Sequence, residues 1–285
     1  MKIVVTGATG LVGWTLIPLL HDRHEVWAVG RDRAGARLSA PNVHWIAANL
    51  AAPELPRELP ATADVVVHLA QSPHYRDFPS QALDIFNVNV ASTARLLDWS
   101  RTAGVRQFIL ASTGAVASAG APAFYYVASK QSAELLATSY ETCFGVLIVR
   151  FFFVYGHGQR ASMLVPRLID IIRTDGSVSL AGAAGPRLNP VHVDDAAQAL
   201  MRAMELATTG RINVAGPDVL TIRAMSDCIA ARAGWTPRFE SDAAQTAQDL
   251  VGDISRMSEL LGPPRVSFAD GIDRMMSAME REGAE

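Results

Sequence analysis

Tyr126 and Lys130 are the side chains whose types and spacing indicate acid–base chemistry. They lie four residues apart in a segment that is predicted to be helical, so the phenol and the ammonium would share one helical face. Of the 25 Lys and Arg residues, only Lys2 and Lys130 are lysines. An ammonium is a compact charge with three hydrogen-bond donors. A lysine at position 130 of an arginine-rich chain therefore indicates a site that needs such a charge. By itself, the pair also fits a packed tyrosine beside a solvated lysine.

Ser112 and Thr113 precede this helix as neighbouring hydroxyl side chains. They close a predicted strand over residues 107–113, and an open parallel sheet forms its ligand crevice at the carboxyl ends of its strands. The two hydroxyls are therefore candidates for contact with a ligand. The alternative is that they satisfy the local backbone of a turn at the strand end.

The first fifteen residues predict a strand, a glycine-rich loop and a helix. A β-branched run at residues 3–5 leads into Thr-Gly-Ala-Thr-Gly-Leu-Val-Gly and then into a helical pattern that ends near His21. The glycines permit a tight turn and close approach of a diphosphate, and the helix N-terminus supplies unpaired N–H donors. We therefore predict a dinucleotide site. Its loop contacts are predicted to come from Gly7, Thr9, Gly10, Leu11, Val12 and Gly13.

The second predicted strand, residues 25–29, ends in Gly30-Arg31-Asp32-Arg33. A dinucleotide fold that binds NAD uses an acid near this point for the ribose diol, whereas an arginine accommodates the 2′-phosphate of NADP. Glycine occupies the first position after the strand and Arg31 follows, which favours NADP as the cofactor. Asp32 leaves NAD as the alternative.

The composition is that of a globular chain with a large core. Its 285 residues are 49% hydrophobic and 19% charged, which predicts one main domain with a smaller second one. A net charge of −3 without a basic run gives no support to nucleic-acid binding. The most apolar segment, residues 144–156, is too short for a membrane span. The cysteine spacing predicts no metal site, the amino terminus does not resemble a signal peptide, and we expect a cytoplasmic protein.

The order of these motifs resembles the short-chain dehydrogenase/reductase family. The Gly-x-x-Gly-x-x-Gly loop resembles that of its extended branch, which contains sugar-nucleotide epimerases and many reductases. Asp-Val-Val-Val-His-Leu-Ala at residues 64–70 and Val-His-Val-Asp-Asp at residues 191–195 resemble further elements of this branch. Arg-Phe-Phe-Phe-Val-Tyr-Gly at residues 150–156 does so too, with Phe153 where the family usually has Asn. The resemblance covers nearly the whole chain.

This resemblance implies roles for individual residues. Tyr126 would exchange a proton with the substrate oxygen, Thr113 would hold that oxygen, and Lys130 would lower the pKa of Tyr126 and bind the nicotinamide ribose. Beyond the glycine loop, the predicted cofactor contacts are Arg31, Asn49, Leu50, Leu69, Ala70, Tyr126 and Lys130. The predicted substrate contacts are Ser112, His74, Phe153 and Arg187. His68 and Asn89 are interpreted as buried structural residues.

The predicted fold is α/β, a Rossmann-like doubly wound parallel sheet with a smaller C-terminal α/β substrate-binding region. The dinucleotide-binding domain is predicted at residues 1–155 and 186–215, and the substrate-binding region at residues 156–185 and 216–285. The family resemblance also implies a homodimer packed through two long helices, residues 80–103 and 127–144.

The predicted function is that of an NAD(P)-dependent oxidoreductase, which transfers hydride reversibly at a carbonyl or secondary alcohol carbon of a small molecule. A sugar-nucleotide epimerase with tightly held NAD is the alternative, and Arg31 and Phe153 favour the reductase. A 4,6-dehydratase ranks last, because related dehydratases have Asp-Glu after the threonine and this chain has Gly114-Ala115. A non-catalytic NADP(H)-sensing regulator is a hypothesis of another class. Such regulators usually lack the Tyr/Lys pair that this chain contains.

Overall fold

The computed structural model describes residues 1–32, 38–117 and 124–283. The chain divides into two compact units, one of Met1–Arg150 and Ala197–Ile212, the other of Phe151–Ala196 and Asn213–Glu285. The sequence-based division assigns residues 151–155, 186–196 and 213–215 to the dinucleotide-binding domain. By their contacts, these segments belong to the second unit.

A seven-stranded sheet carries the fold, in the order β3-β2-β1-β4-β5-β6-β9. Its strands are β1 (Lys2–Thr6), β2 (Glu25–Gly30), β3 (Val43–Ala47), β4 (Val65–His68), β5 (Gln107–Thr113), β6 (Gly145–Phe151) and β9 (Gly210–Val214). Neighbouring strands from β3 to β5 pair in parallel. All four residues of β4 are buried, as expected for a parallel strand covered on both faces. The prediction of a Rossmann-like doubly wound sheet is confirmed.

The order of the strands fixes where a ligand would bind. From β1 the chain builds β2 and β3 on one side, then crosses to place β4 and β5 on the other. Open α/β sheets bind ligands at such a switch point, at the carboxyl ends of the strands. A ligand is therefore expected beside the residues that directly follow β1 and β4 and beside the last residue of β5.

Two predicted helices of the first unit differ from the structure. Residues 80–103 do not form one regular helix, because a π-helical turn at Asn87–Ala91 separates α2 (Ala82–Phe86) from α3 (Ser92–Thr102). The helix with the Tyr/Lys pair, α4, is Tyr125–Thr138 and not residues 127–144. In its last turn, hydroxyls of Thr138 and Ser139 bond to backbone carbonyls one turn earlier and compete with the helical pattern.

Six further α-helices lie in the described residues. They are α1 (Leu11–Leu20), α5 (Leu164–Arg173), α6 (Val193–Leu206), α7 (Ile222–Ala233), α8 (Ser255–Leu260) and α9 (Phe268–Gly283). Asp194 and Asp195 lie in the first turn of α6, where carboxylates favour the helix dipole. Asp195 accepts the backbone N–H groups of Arg265 and Val266, at 3.0 and 2.8 Å. This contact agrees with a structural role for Asp195.

The second unit contains two small sheets. β7 (Ser177–Ala181) pairs in parallel with β11 (Arg238–Asp242), and β8 (Arg187–Leu188) pairs antiparallel with β10 (Leu220–Thr221). Among the described residues, no helix combines the length and the apolar character that crossing a membrane requires. The same residues contain no cluster of three or more His, Cys, Asp or Glu side chains that could hold a metal ion.

Candidate active site

The glycine loop is a tight turn between β1 and α1. Gly7 has a φ of +71°, and a Cβ there would lie 2.7 Å from the backbone nitrogen of Ala70. The Gly10 N–H donates to the Gly7 carbonyl at 2.9 Å, and a Cβ on Gly13 would lie 2.6 Å from the same oxygen. Only glycine fits this turn, which lies directly against the backbone of Leu69 and Ala70.

The loop leads into a helix start that suits a diphosphate. α1 begins at Leu11, and its N-cap residue Gly10 provides no side-chain hydrogen bond to the first turn. The first backbone N–H groups of a helix point along its axis with the positive end of its dipole, which favours an anion. The residues present therefore fit a dinucleotide whose diphosphate lies on the loop.

The end of β2 lies beside this loop. A Cβ on Gly30 would be 2.9 Å from Cγ2 of Thr9, so a larger residue at position 30 would require the Thr9 side chain to shift. Gly30, the last residue of β2, therefore lets the strand end lie close to the glycine loop. Arg31 and Asp32 follow as exposed residues, and Arg33 lies outside the described residues.

Asn49 and Leu50, two of the predicted cofactor contacts, differ in their exposure. Asn49 is exposed, and its Oδ1 accepts the backbone N–H of Ala51 at 3.0 Å. Leu50 is buried in the same core cluster as Val4 and Val66. The Leu50 side chain therefore contributes to the core of the first unit, and its predicted cofactor contact stays a prediction.

Thr113 and Tyr126 come together at the carboxyl end of β5. Thr113 is the last residue of β5 and Tyr126 lies in the first turn of α4. The Thr113 hydroxyl donates a hydrogen bond to the Tyr126 oxygen, and Thr113 Oγ1 itself accepts the N–H of Ala115 at 3.3 Å. The Tyr126 hydroxyl donates to Oε1 of Gln71 at 3.0 Å. The structure thus brings together two of the three predicted catalytic residues and adds Gln71.

Lys130 lies one turn further along α4 and is buried. Its Nζ donates to the carbonyl of Ala111 in β5 at 3.1 Å, which excludes the alternative of a solvated lysine. Burial lowers the pKa of Lys130 to about 8, and the Glu134 carboxylate opposes this shift. The ammonium is therefore still largely protonated at neutral pH.

The pKa of Tyr126 differs from the prediction. Burial raises it above its ordinary value, the hydrogen bond from Thr113 acts in the opposite direction, and the nearby Tyr75 adds to the rise. The predicted lowering by Lys130 is not found, because the ammonium binds the Ala111 carbonyl and desolvation of the phenol dominates. In the protein chain alone, Tyr126 is a protonated acid.

Glu134 forms a buried ionic network that the sequence analysis did not identify. Its carboxylate accepts Nε and Nη2 of Arg150 at 2.9 and 2.6 Å. It also accepts the Ser112 hydroxyl at 2.6 Å. Ser112 thus has a buried partner within the protein, and its predicted substrate contact stays a prediction. The sequence signal was available: Glu134 is four residues after Lys130 and shares its helical face. Together with the Lys130 contact, the Ser112 contact holds α4 against the end of β5.

Asn89 joins the loop after β4 to α4. Its Oδ1 accepts the N–H of Ser72 at 3.0 Å, and its Nδ2 donates to Oγ of Ser129 at 2.9 Å. Ser129 Oγ in turn donates to the carbonyl of Tyr126 at 2.7 Å. Asn89 is thus the structural residue that was predicted, and its π-helical turn lies at the candidate site, where such turns often occur.

His68 is also structural. Its two ring nitrogens are 2.6 Å from Thr6 Oγ1 and 3.0 Å from Thr93 Oγ1. Burial, with a smaller effect of Lys130, lowers the pKa of His68 to about 3, so the ring is neutral. A neutral ring with both nitrogens paired is a core histidine and not an acid or base for catalysis.

The remaining predicted substrate residues are His74, Arg187 and Phe153, and the first two contact nearby carboxylates. His74 lies in the loop after β4, with Nδ1 3.0 Å from a carboxylate oxygen of Asp77. In the second unit, Arg187 Nε donates to Asp249 at 2.8 Å, so an anionic group would have to compete with this carboxylate. Phe153 is 38% exposed and has a left-handed backbone with a φ of +45°.

The strained backbone of Phe153 leads to a stability prediction. A left-handed conformation costs an L-residue with a Cβ about 1 kcal/mol, and glycine avoids this cost. We therefore expect Phe153→Gly to be more stable than Phe153→Ala by about 1 kcal/mol in urea unfolding, although glycine is normally the less stable of the two. Comparing these two variants cancels the loss of the ring.

Phe151 is the control for this prediction, because it lies in β6 and not at a positive φ. There the usual order should hold, with the alanine variant more stable than the glycine variant. If alanine is the more stable residue at both positions, Phe153 carries no strain.

Comparison with known proteins identifies similar sequences. A sequence profile of the NAD dependent epimerase/dehydratase family matches residues 3–215. UDP-glucose 4-epimerase of Mycolicibacterium smegmatis is 28% identical over 95% of this chain and 96% of its own length. The dTDP-4-dehydro-6-deoxy-D-allose reductase of Streptomyces sp is 26% identical over 91% of this chain and 90% of its own length.

Solved structures show the same fold. One of them is UDP-glucuronic acid 4-epimerase from Bacillus cereus in complex with UDP-glucuronic acid and NAD, which superposes with a TM-score of 0.83. The superposition covers 99% of this chain and 100% of that one, at 24% sequence identity. At this identity the likeness concerns the fold.

Proposed function

The chain belongs to the NAD dependent epimerase/dehydratase family, and from that premise we propose that it is an NAD(P)-dependent oxidoreductase that transfers hydride at a carbonyl or secondary alcohol carbon. The arrangement of Thr113, Tyr126 and Lys130 beside the glycine loop carries this proposal. It combines a hydrogen-bonded phenol, a buried ammonium and a diphosphate cradle at the carboxyl ends of adjacent strands.

The cofactor would be held by backbone groups of the first unit. Gly7, Gly10 and Gly13 would bring the diphosphate onto the loop and the N-terminus of α1, and the segment Leu69–Ala70 would lie beneath the dinucleotide. When bound, the nicotinamide supplies or accepts the hydride. The protein residues then have to orient the substrate and move one proton.

Tyr126 moves that proton. As a protonated phenol it can donate to the oxygen of a carbonyl substrate as the carbon is reduced. In the reverse direction, the phenol must lose its proton to act as the base. Thr113 stabilises the phenolate by donating to it. The positive charge of an oxidised nicotinamide would act in the same direction. The buried Lys130 would bind the nicotinamide ribose.

NADP is the proposed cofactor, because Arg31 directly follows β2 and the strand ends in Gly30 and not in a carboxylate. A guanidinium–phosphate contact gives about 1.5–3 kcal/mol, so Arg31→Ala should weaken NADPH binding about tenfold to a hundredfold. NADH binding should stay unchanged. Titration of nicotinamide fluorescence measures both affinities.

Arg23 provides a matched control for this measurement, since it is an exposed arginine just before β2, at the opposite end of the strand. Arg23→Ala should alter neither affinity. A wild-type protein that binds NADH much more tightly than NADPH would contradict the assignment to Arg31, and so would equal weakening of both cofactors in Arg31→Ala.

A sugar-nucleotide epimerase is the second candidate function. It is favoured by the epimerase relatives, which match nearly the full length of the chain. The reductase relative matches over a similar length, and Arg31 and Phe153 keep the reductase in first place. The nucleotide that copurifies discriminates between the two: tightly retained NAD indicates an epimerase, and an empty site indicates a reductase.

Three further properties are proposed. The first unit would be the dinucleotide-binding domain and the second would carry the substrate-binding region. A homodimer would pack through α2, α3 and α4, where Leu83 and Leu135 are 77% and 62% exposed. A cytoplasmic location would fit a chain with two unpaired cysteines, Cys143 and Cys228.

A further inference from the structure

Gln71 ends a chain of hydrogen bonds that runs through the reacting phenol. The Ala115 N–H donates to Thr113 Oγ1, the Thr113 hydroxyl donates to the Tyr126 oxygen, and the Tyr126 hydroxyl donates to Gln71 Oε1. An amide oxygen can only accept, so the Tyr126 hydrogen points towards Gln71 and the Tyr126 oxygen accepts from Thr113. The hydroxyl hydrogen that Tyr126 would deliver to a substrate is therefore hydrogen-bonded to the Gln71 amide oxygen.

This contact cannot survive the loss of the proton in its present form. A phenolate has no hydrogen to donate, and its charge would repel the partial negative charge of Oε1. A carboxamide, however, carries an acceptor oxygen and an NH₂ donor group side by side. Rotation about its last torsion exchanges the two, and this torsion is broad in glutamine.

The surroundings of Gln71 allow that rotation. Its side chain is exposed, whereas the backbone on either side is fixed. The Ala70 N–H donates to Thr6 Oγ1 at 3.3 Å and the Ser72 N–H donates to Asn89 Oδ1 at 3.0 Å. The amide can thus turn while its position relative to Tyr126 is kept.

We propose that Gln71 is a positioning residue for the proton-transfer step, which accepts a hydrogen bond from the neutral phenol of Tyr126 and, once rotated, donates one to the phenolate. This inference rests on the proposed function, since it assigns a partner to the acid–base residue. In carbonyl reduction, the Tyr126 O–H turns from Oε1 to the substrate oxygen and transfers its proton there, and the Nε2 amide group of the rotated Gln71 then donates to the phenolate. In the reverse reaction the same steps run backwards.

Titration of Tyr126 tests the proposal. The ultraviolet absorbance of its phenolate is obtained as the difference between the protein and its Tyr126→Phe variant, each with oxidised cofactor bound. Gln71→Leu removes the donor, and a hydrogen bond to a charged group is worth about one to two pKa units. We therefore expect the Tyr126 pKa to rise by about this amount and kcat at neutral pH to fall about tenfold to a hundredfold, with unchanged cofactor affinity.

Gln71→Glu sharpens the test, because a carboxylate accepts but does not donate at neutral pH. It should raise the pKa of Tyr126 further than Gln71→Leu does. The other titratable groups near the phenol, Tyr75 and Lys130, are the same in all variants. Gln131→Glu is the matched control, since Gln131 is exposed on α4 and the change introduces the same charge. It should leave the titration and kcat unchanged.

The two possible failures can be told apart. A protein that binds no nicotinamide nucleotide overturns the proposed function and the role of Gln71 with it. A protein that binds the cofactor and turns over, but whose Tyr126 titrates in Gln71→Leu as in the wild type, overturns the role of Gln71 alone. Equal shifts in Gln71→Glu and Gln131→Glu would do so as well, because they would show a general effect of charge.

Discussion

Replacing Tyr126 by phenylalanine is expected to leave cofactor binding intact and to lower kcat by about 10²–10⁴-fold, the usual contribution of a positioned acid or base. The substitution removes one hydroxyl group, which accepts a hydrogen bond from Thr113 and donates one to Gln71. The ring remains and can still pack against Tyr75, whose ring centre is 5.1 Å away. The loss should therefore be one of proton transfer and not of folding.

Tyr125 is the matched control for this variant. It precedes Tyr126 in the first turn of α4, and its ring stacks on Phe78 with 4.9 Å between ring centres. Tyr125→Phe removes the same hydroxyl from the neighbouring position and should keep near wild-type turnover. Near-normal turnover in Tyr126→Phe, or an equal loss in Tyr125→Phe, would mean that the acid–base residue has been assigned wrongly.

Replacing Glu134 by glutamine should have the largest effect on stability, lowering the free energy of unfolding by about 3 kcal/mol or more. Glutamine has nearly the same shape but loses the charge that pairs with Arg150, and its NH₂ group would face donors. Arg150 is itself only 18% exposed and would be left without a counter-charge. Urea unfolding of the two proteins measures the difference.

The variant should also affect Lys130. Because Glu134 raises the pKa of the ammonium, its neutralisation should move that pKa further below about 8 and reduce the charged fraction of Lys130 at neutral pH. The expected consequence is a decrease in kcat that becomes stronger as the pH rises. A pH profile of kcat for the two proteins measures this decrease.

Asp98 offers a control with the same acid-to-amide change. Its carboxylate pairs with Arg101 at 2.9 Å, but both side chains are exposed, and exposed ion pairs contribute little to stability. Asp98→Asn should therefore unfold at nearly the wild-type urea concentration. If Glu134→Gln costs no more than this control, the buried network does not hold α4 in place.

The glycine loop and the Tyr/Lys pair could be predicted from the sequence because their geometry is local. A left-handed φ at Gly7 and the contact of Gly13 with the loop are requirements on single residues. The spacing of Tyr126 and Lys130 places them on one helix face in any protein. Such features need no knowledge of how distant segments pack.

The partners of these residues could not be predicted in the same way. The contacts of Gln71 with Tyr126 and of Ser112 with Glu134 depend on which turn of α4 lies beside the carboxyl ends of β4 and β5. A shift of α4 by one turn would give these side chains other partners. The upward shift of the Tyr126 pKa likewise depends on burial, which is a property of the packed structure.

Periodicity alone also failed to show the π-helical turn. The apolar pattern continues through residues 80–103, so a single helix was the natural prediction. The π-helical turn at Asn87–Ala91 adds a residue to one turn and rotates the following positions. This turn contains Asn89, which contacts Ser72 and Ser129.

The central claim is that Tyr126 lies where a nicotinamide exchanges hydride with a carbon that bears oxygen. The most direct measurement mixes protein loaded with oxidised cofactor with each of a panel of small secondary alcohols and follows the absorbance of reduced nicotinamide in a single turnover. We expect reduced nicotinamide to form in the wild type, persistently in a dehydrogenase and transiently in an epimerase, and about 10²-fold or more slowly in Tyr126→Phe. Formation at the same rate in both proteins, or a wild-type protein that binds neither NAD nor NADP, would contradict the claim.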